Sequence, residues 1–155
     1  MIENRLYRKD IEQVARILLP WDELKNKSFL ITGASGLIGS FLIDVLMYKN
    51  INDDLNCKIY AIGRNVEKAK AIFGVYWNLP CFVFISHDIN ERLDLDSAEN
   101  VDYVLHMASN THPIAYSTDP IGTITANIIG TNNMLEFAVK HRTQRFAFAS
   151  SNEIY

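Results

Sequence analysis

Ser28-Phe29-Leu30-Ile31-Thr32-Gly33-Ala34-Ser35-Gly36-Leu37-Ile38-Gly39 decides the fold. The first five residues are a short β-rich run, and a glycine-rich turn follows directly. Residues 37–48 then carry Leu37, Phe41, Val45 and Tyr48 at helical spacing. Glycines at 33, 36 and 39 let the chain turn sharply and let the helix pack close to the strand. They also let backbone N–H groups approach a pyrophosphate, which the positive end of the helix favours. Strand, glycine turn and helix in this order predict the opening of a dinucleotide-binding sheet. Gly33, Ser35, Gly36, Leu37, Ile38 and Gly39 are its candidate phosphate contacts.

The alternation of strand and helix continues outward from this turn. Residues 58–62 read as a second strand, 66–73 as a short helix, and 82–86 as a continuously apolar third strand. Residues 101–106 read as a fourth strand. Asp119-Pro120 starts a helix, with Asp as N-cap and Pro at the first helical position. Ile121, Ile124, Ile128, Leu135 and Val139 carry it to about residue 140, and 145–150 read as a fifth strand. The expected architecture is an α/β, Rossmann-type doubly wound parallel sheet of five strands in order 3-2-1-4-5, with right-handed crossovers. Residues 28–155 form this domain and 1–27 an extension. In the extension Ile11, Val14, Ile17 and Leu18 line one face of a helix that Pro20 stops, expected to pack on the sheet domain.

Composition bounds the remaining possibilities. The chain has 155 residues, 48% hydrophobic, enough to bury a sizeable core. A net charge of -3 and the lack of a basic stripe argue against a nucleic-acid surface. The longest apolar run, residues 81–85, is far short of a membrane span, and no signal-peptide pattern opens the chain. Cys57 and Cys81 form no CxxC and read as reduced thiols of a cytoplasmic protein.

The spacing Thr32-Gly-x-x-Gly-x-x-Gly resembles the extended short-chain dehydrogenase/reductases, the NAD-dependent epimerase/dehydratase family. His87-Asp88-Ile89 resembles its adenine-binding Asp and neighbour. Asp102-Tyr103-Val104-Leu105-His106-Met107-Ala108-Ser109 resembles its fourth strand, whose end lies along the nicotinamide ribose. Asn127-Ile128-Ile129-Gly130-Thr131 resembles its N-x-x-G-T helix. Ser150-Ser151-Asn152-Glu153-Ile154-Tyr155 resembles the segment that carries the catalytic Ser or Thr, with Ser151 at that place. The resemblance implies cofactor contacts from Asp88, Ile89, Met107, Ala108, Ser109 and Asn127, and catalytic roles for Ser151 and Glu153.

Residues 106–155 look most like nucleotide-sugar enzymes, dTDP-glucose 4,6-dehydratases and UDP-glucuronate decarboxylases. Asn110-Thr111-His112 sits where the dehydratases carry Glu-Ser-His. Asn152 stands where they place an Asp that protonates the leaving hydroxyl, and an amide cannot donate that proton. Decarboxylation or 4-epimerisation is thereby left open. The cofactor is read two ways. The relatives mostly use NAD, yet Gly63-Arg64-Asn65 follows the second strand with no carboxylate for a ribose diol, and Arg64 suits the 2′-phosphate of NADP. An NADP-linked carbonyl reductase and a non-catalytic dinucleotide sensor stand as alternatives.

Family members also carry a Tyr-x-x-x-Lys pair beyond the catalytic Ser, and none of the seven tyrosines here has Lys four positions later. The expectation is an N-terminal fragment that binds cofactor but does not turn over nucleotide sugar alone. It should self-associate as a homo-oligomer through the 145–150 edge and the apolar face of the 120–140 helix.

Overall fold

The computed structural model describes residues 4–95, 101–110 and 113–150. Five parallel strands, β1 (Ser28–Thr32), β2 (Lys58–Gly63), β3 (Phe82–Ser86), β4 (Tyr103–His106) and β5 (Arg145–Phe148), form one sheet in the order β3-β2-β1-β4-β5. The central strand, β1, is buried at every position. Its pleat divides the core in two. Phe29 and Ile31 point into a cluster with Ile43, Met47, Ile59, Ala61, Phe73 and Phe82. Leu30 points into the opposite cluster with Tyr60, Ile62, Val104, Met134 and Phe137.

Helices α2 (Leu37–Asn52) and α3 (Val66–Phe73) cover the first face, and α6 (Thr131–Lys140) covers the second. Each fully buried aliphatic such as Ile31 or Ile43 contributes roughly 1.5–3 kcal/mol of transfer free energy. The expected strand order is the observed one. β3 differs from its reading as a strand buried on both faces: it lies at the sheet's edge, and only Phe82 of it is buried.

Three local expectations are corrected. The first helix, α1 (Arg5–Ala15), ends before Ile17 and Leu18, which are exposed, so Ile11 and Ala15 make its buried face. As expected, it packs on the sheet domain, on α2, through Ile11, Ala15, Val14 and Tyr7 against Phe41, Val45 and Tyr48. The Tyr7 hydroxyl donates to Asp44 Oδ2 at 2.6 Å, and burial raises the Asp44 pKa despite that bond. The 120–140 helix is three segments: α5 (Pro120–Thr125), a π-helical turn (Ala126–Gly130) and α6. Its start is as read, with Asp119 accepting from the Gly122 N–H. A short helix, α4 (Pro113–Thr118), precedes it and was not anticipated.

At the foot of the sheet one carboxylate ties three strands together. Asp102 Oδ2 accepts from the Ser28 N–H at 2.9 Å and the Ser28 hydroxyl at 2.8 Å. Its Oδ1 accepts from Gln144 at 2.8 Å and Lys27 at 3.4 Å. Burial would raise this pKa, but the Ser28 donors and the Lys27 ammonium outweigh it and hold the carboxyl below its ordinary value. The Asp of the fourth-strand motif is therefore a strand tether, at the edge opposite the candidate site.

Candidate functional site

The site is built at the carboxyl ends of the strands, where ligands of open α/β sheets bind. β1 ends in Thr32, and Gly33 turns the chain with φ +66°. A Cβ at Gly33 would lie 2.7 Å from the Met107 carbonyl oxygen and 2.9 Å from the Ala108 nitrogen. The turn thus presses directly on the chain leaving β4. A Cβ at Gly39 would lie 2.5 Å from the Gly33 oxygen, which is how closely α2 approaches the turn. The Ala34 N–H bonds the Ile62 carbonyl and stitches the turn to β2.

Gly36 is the N-cap of α2, and no side chain caps the helix. The first-turn N–H groups, those of Leu37 and Ile38 among them, have no carbonyl of their own helix to bond. These N–H groups and the helix dipole make an anion cradle. Leu37 is 82% exposed at its rim.

The wall beside the turn is the end of β4. Thr32 Oγ1 accepts from the Met107 N–H at 3.0 Å and the Ala108 N–H at 3.1 Å, and lies 2.7 Å from His106 Nδ1. Beyond it, the Ser109 hydroxyl donates to Asn127 Oδ1 at 2.8 Å, and Asn110 donates to Thr123. Asn127 belongs to the π-helical turn, which widens the helix where it meets the loop.

The far end of the site lies past β2 and β3. Arg64, Ser86, His87, Asp88 and Glu91 line an open pocket of about 330 Å³. The Asp88 carboxylate accepts from the Asn90 N–H, which fixes its loop. Ile89 is buried beneath the helix: Asn133 donates to its carbonyl at 2.9 Å, and a Cβ on Gly130 would lie 2.6 Å from its Cδ1. Gly130 is what lets the helix sit this close. A larger pocket, lined by Lys25, Asn26, Asn50, Asp54, Asn56 and Cys81, carries none of the expected site residues.

The residues present fit a dinucleotide: a glycine turn packed against the end of β4 and the start of α2 with no room for side chains at 33 and 39, N–H groups for a pyrophosphate, and a polar pocket at one end. The sequence profile of the NAD dependent epimerase/dehydratase family matches residues 29–155. The chain belongs to that family. It is 36% identical over 130 residues to UDP-glucuronic acid decarboxylase 6 of Arabidopsis thaliana, covering 84% of this chain and 35% of the relative. Pen from Bacillus thuringiensis superposes with a TM-score of 0.67 at 25% identity, over 83% of this chain and 39% of that one. The dTDP-glucose 4,6-dehydratase DesIV from Streptomyces venezuelae does so with a TM-score of 0.62 at 21% identity, over 76% of this chain and 37% of that one. The chain spans about a third of the length of the curated relatives it matches.

In this family member the structure brings the expected residues into three groups. Gly33, Gly36, Leu37, Ile38 and Gly39 form the turn, and Ser35 lies over Gly63, its Oγ 3.9 Å from where a Cβ there would sit. Met107, Ala108, Ser109 and Asn127 form the wall, and Arg64 and Asp88 face one pocket with Ile89 beneath the helix. Ser151 and Glu153 lie outside the described residues, as do Asn152, Tyr155, Thr111 and His112. Sequence reading passed over Thr32 and Thr131 as polar contacts and Asn133 as an anchor. Only the cross-element register makes those pairings visible. Cys57 takes no part: it is buried, and burial pushes its thiol pKa up to about 11.

Proposed function

We propose that these residues form the NAD-binding part of a nucleotide-sugar-modifying enzyme of the decarboxylase type, with residues 28–155 as the dinucleotide domain and 1–27 as an extension of it. The observation that carries the reading is the uncapped, glycine-lined start of α2 pressed against the end of β4, in a chain 36% identical to a UDP-glucuronic acid decarboxylase.

The turn's N–H groups would hold the pyrophosphate, and the Arg64–Asp88 pocket the adenosine end. The Met107–Ser109 wall and Asn127 would orient the nicotinamide ribose. When bound, the nicotinamide supplies a reversible hydride acceptor for C4 of the sugar. Ser151 would donate to the oxygen at C4, and Glu153 would contact the sugar. Ser151 is too weak an acid to be deprotonated at neutral pH, so it would hydrogen-bond the sugar rather than serve as the base that takes its proton. With C4 oxidised, the carboxylate on C5 can leave as CO2 with its electron pair passing to the C4 enolate, with no acid for a leaving hydroxyl. Dehydration needs such an acid, which Asn152 cannot supply; this favours decarboxylation. Inversion at C4 is the second reading, and the family includes epimerases by name.

Exposed Ile121, Ile124, Ile128 and Val139 along α5, the π-helical turn and α6 support self-association of this domain. Among the described residues no helix is long and apolar enough to cross a membrane.

Assaying the complete gene product with UDP-glucuronate and dTDP-glucose tests the reading. The expected result is release of CO2 from the former and no turnover of the latter. A protein that binds NAD and transforms no nucleotide sugar would instead be a sensor.

Cofactor preference is tested at Arg64, which is exposed at the pocket's edge. Arg64→Ala should weaken NADP(H) roughly tenfold or more and NAD(H) little, because only a 2′-phosphate forms a charge-assisted pair worth about 1.5–3 kcal/mol. Equal losses in titrations of both cofactors would make Arg64 a bystander to the choice.

A further inference from the structure

His106 ends β4 at 1% exposure, and the reading above gives it no role. Its surroundings define its protonation. A threonine hydroxyl has one proton to donate and two lone pairs to accept with. Thr32 Oγ1 spends both lone pairs on the N–H groups of Met107 and Ala108. Its proton is then directed to its one remaining hydrogen-bond neighbour among the described residues, His106 Nδ1 at 2.7 Å. Nδ1 is therefore an acceptor and carries no hydrogen. The ring's hydrogen sits on Nε2, which donates to Thr131 Oγ1 at 3.2 Å, at the start of α6.

The elements packed around the ring give it nothing to balance a charge. β1 contributes Thr32, α6 contributes Thr131, and β5 contributes Phe146 and Phe148, with ring centroids 6.1 and 5.8 Å away. No carboxylate or ammonium among the described residues interacts with it, and burial lowers its pKa from the ordinary histidine value. A proton added at Nδ1 would face the Thr32 hydroxyl donor to donor. Thr32 could answer only by turning its proton away and giving up one of the two N–H groups it holds.

Those two N–H groups belong to the stretch that Gly33 touches, where no side chain could be fitted between turn and wall. A shift of Met107–Ala108 is a shift of the wall beside the glycine turn. We infer that His106 is a positioning residue: its neutral Nε2–H ring, acting through Thr32, holds the Met107–Ala108 wall against the glycine turn, so that protonating this one ring loosens dinucleotide binding. The functional half of this inference rests on the dinucleotide reading; the tautomer does not.

Two measurements test it. Nitrogen-15 NMR of the imidazoles reads the tautomer in the unliganded chain, and the expected state is Nε2–H, charging only below the ordinary histidine range. NAD titrations from about pH 7.5 to 5 read the consequence. Wild type should weaken towards the acid end of that range, by about twofold or more at about pH 5, as the ring charges. His106→Asn, which keeps an acceptor where Nδ1 was and cannot titrate there, should bind within about threefold of wild type at neutral pH and stay flat. Thr32→Val should be weak at every pH.

An Nδ1–H tautomer would overturn the inference, and so would parallel pH profiles in wild type and His106→Asn. If His106→Asn fails to fold, the wild-type tautomer and the Thr32→Val profile decide in its place. An Nε2–H ring in a chain that binds no dinucleotide at any pH would instead remove the dinucleotide reading, leaving His106 a fold contact only.

Discussion

Gly33→Val should abolish dinucleotide binding and destabilise the fold together. The position has φ +66°, where an L-residue costs roughly 1–2 kcal/mol and a β-branched one more. The new Cβ would also lie 2.7 Å from the Met107 oxygen, and backbone on both sides must move to admit it. A loss of at least about a hundredfold in NAD affinity is expected, with a fall in the urea midpoint. Gly36→Val separates the two effects. Gly36 has φ -78°, open to any residue, and its Cβ would meet only the Gly33 oxygen at 3.1 Å. Its side chain would stand in the cradle, so binding should be lost while stability changes little. Parent-like affinity in Gly33→Val would mean that the turn does not hold the phosphates.

Asp102→Ala should be the most destabilising change away from the site, by about 3–5 kcal/mol in equilibrium denaturation. It strands the Ser28 N–H and hydroxyl and the Gln144 amide, and it releases the starts of β1, β4 and β5 from one another. The pH dependence follows from the lowered folded pKa. Between the folded value and the ordinary one of 3.8 the unfolded chain binds the extra proton. The stabilisation is therefore complete above the ordinary value and disappears as pH falls through the folded one. Asp102→Asn should flatten this acid limb of the stability curve. An unchanged acid limb would show that the tether's charge contributes nothing.

The order of the strands was legible because β1 to β5 are each bounded by turns or helices of opposite periodicity, which leaves few parallel arrangements. What failed were choices that neighbours make. The reading of Ile17 and Leu18 as part of the α1 face counted apolar residues beyond the helix's end, where they are exposed. α4 holds six residues, too few for a helical period to register in a sequence. The π-helical turn inside 120–140 leaves no periodic trace either, because it serves Asn127 and Gly130 against the Ser109 loop and Ile89.

The glycine turn was legible for a related reason. Its chemistry is local: a strand end, three glycines and a helix start lie within twelve adjacent residues, 28–39. Thr32 and His106 are 74 positions apart in the chain, and only the pairing of β1 with β4 sets them side by side. No spacing rule points to such a pair before the register is known.

Calorimetric titration of the chain with NAD, run beside Gly36→Val, decides whether the glycine turn holds a dinucleotide. The account predicts saturable one-to-one binding to the parent and none to the variant, with the thermal midpoints of the two alike. A parent chain that binds neither NAD nor NADP, or a variant that binds as tightly as the parent, would contradict it.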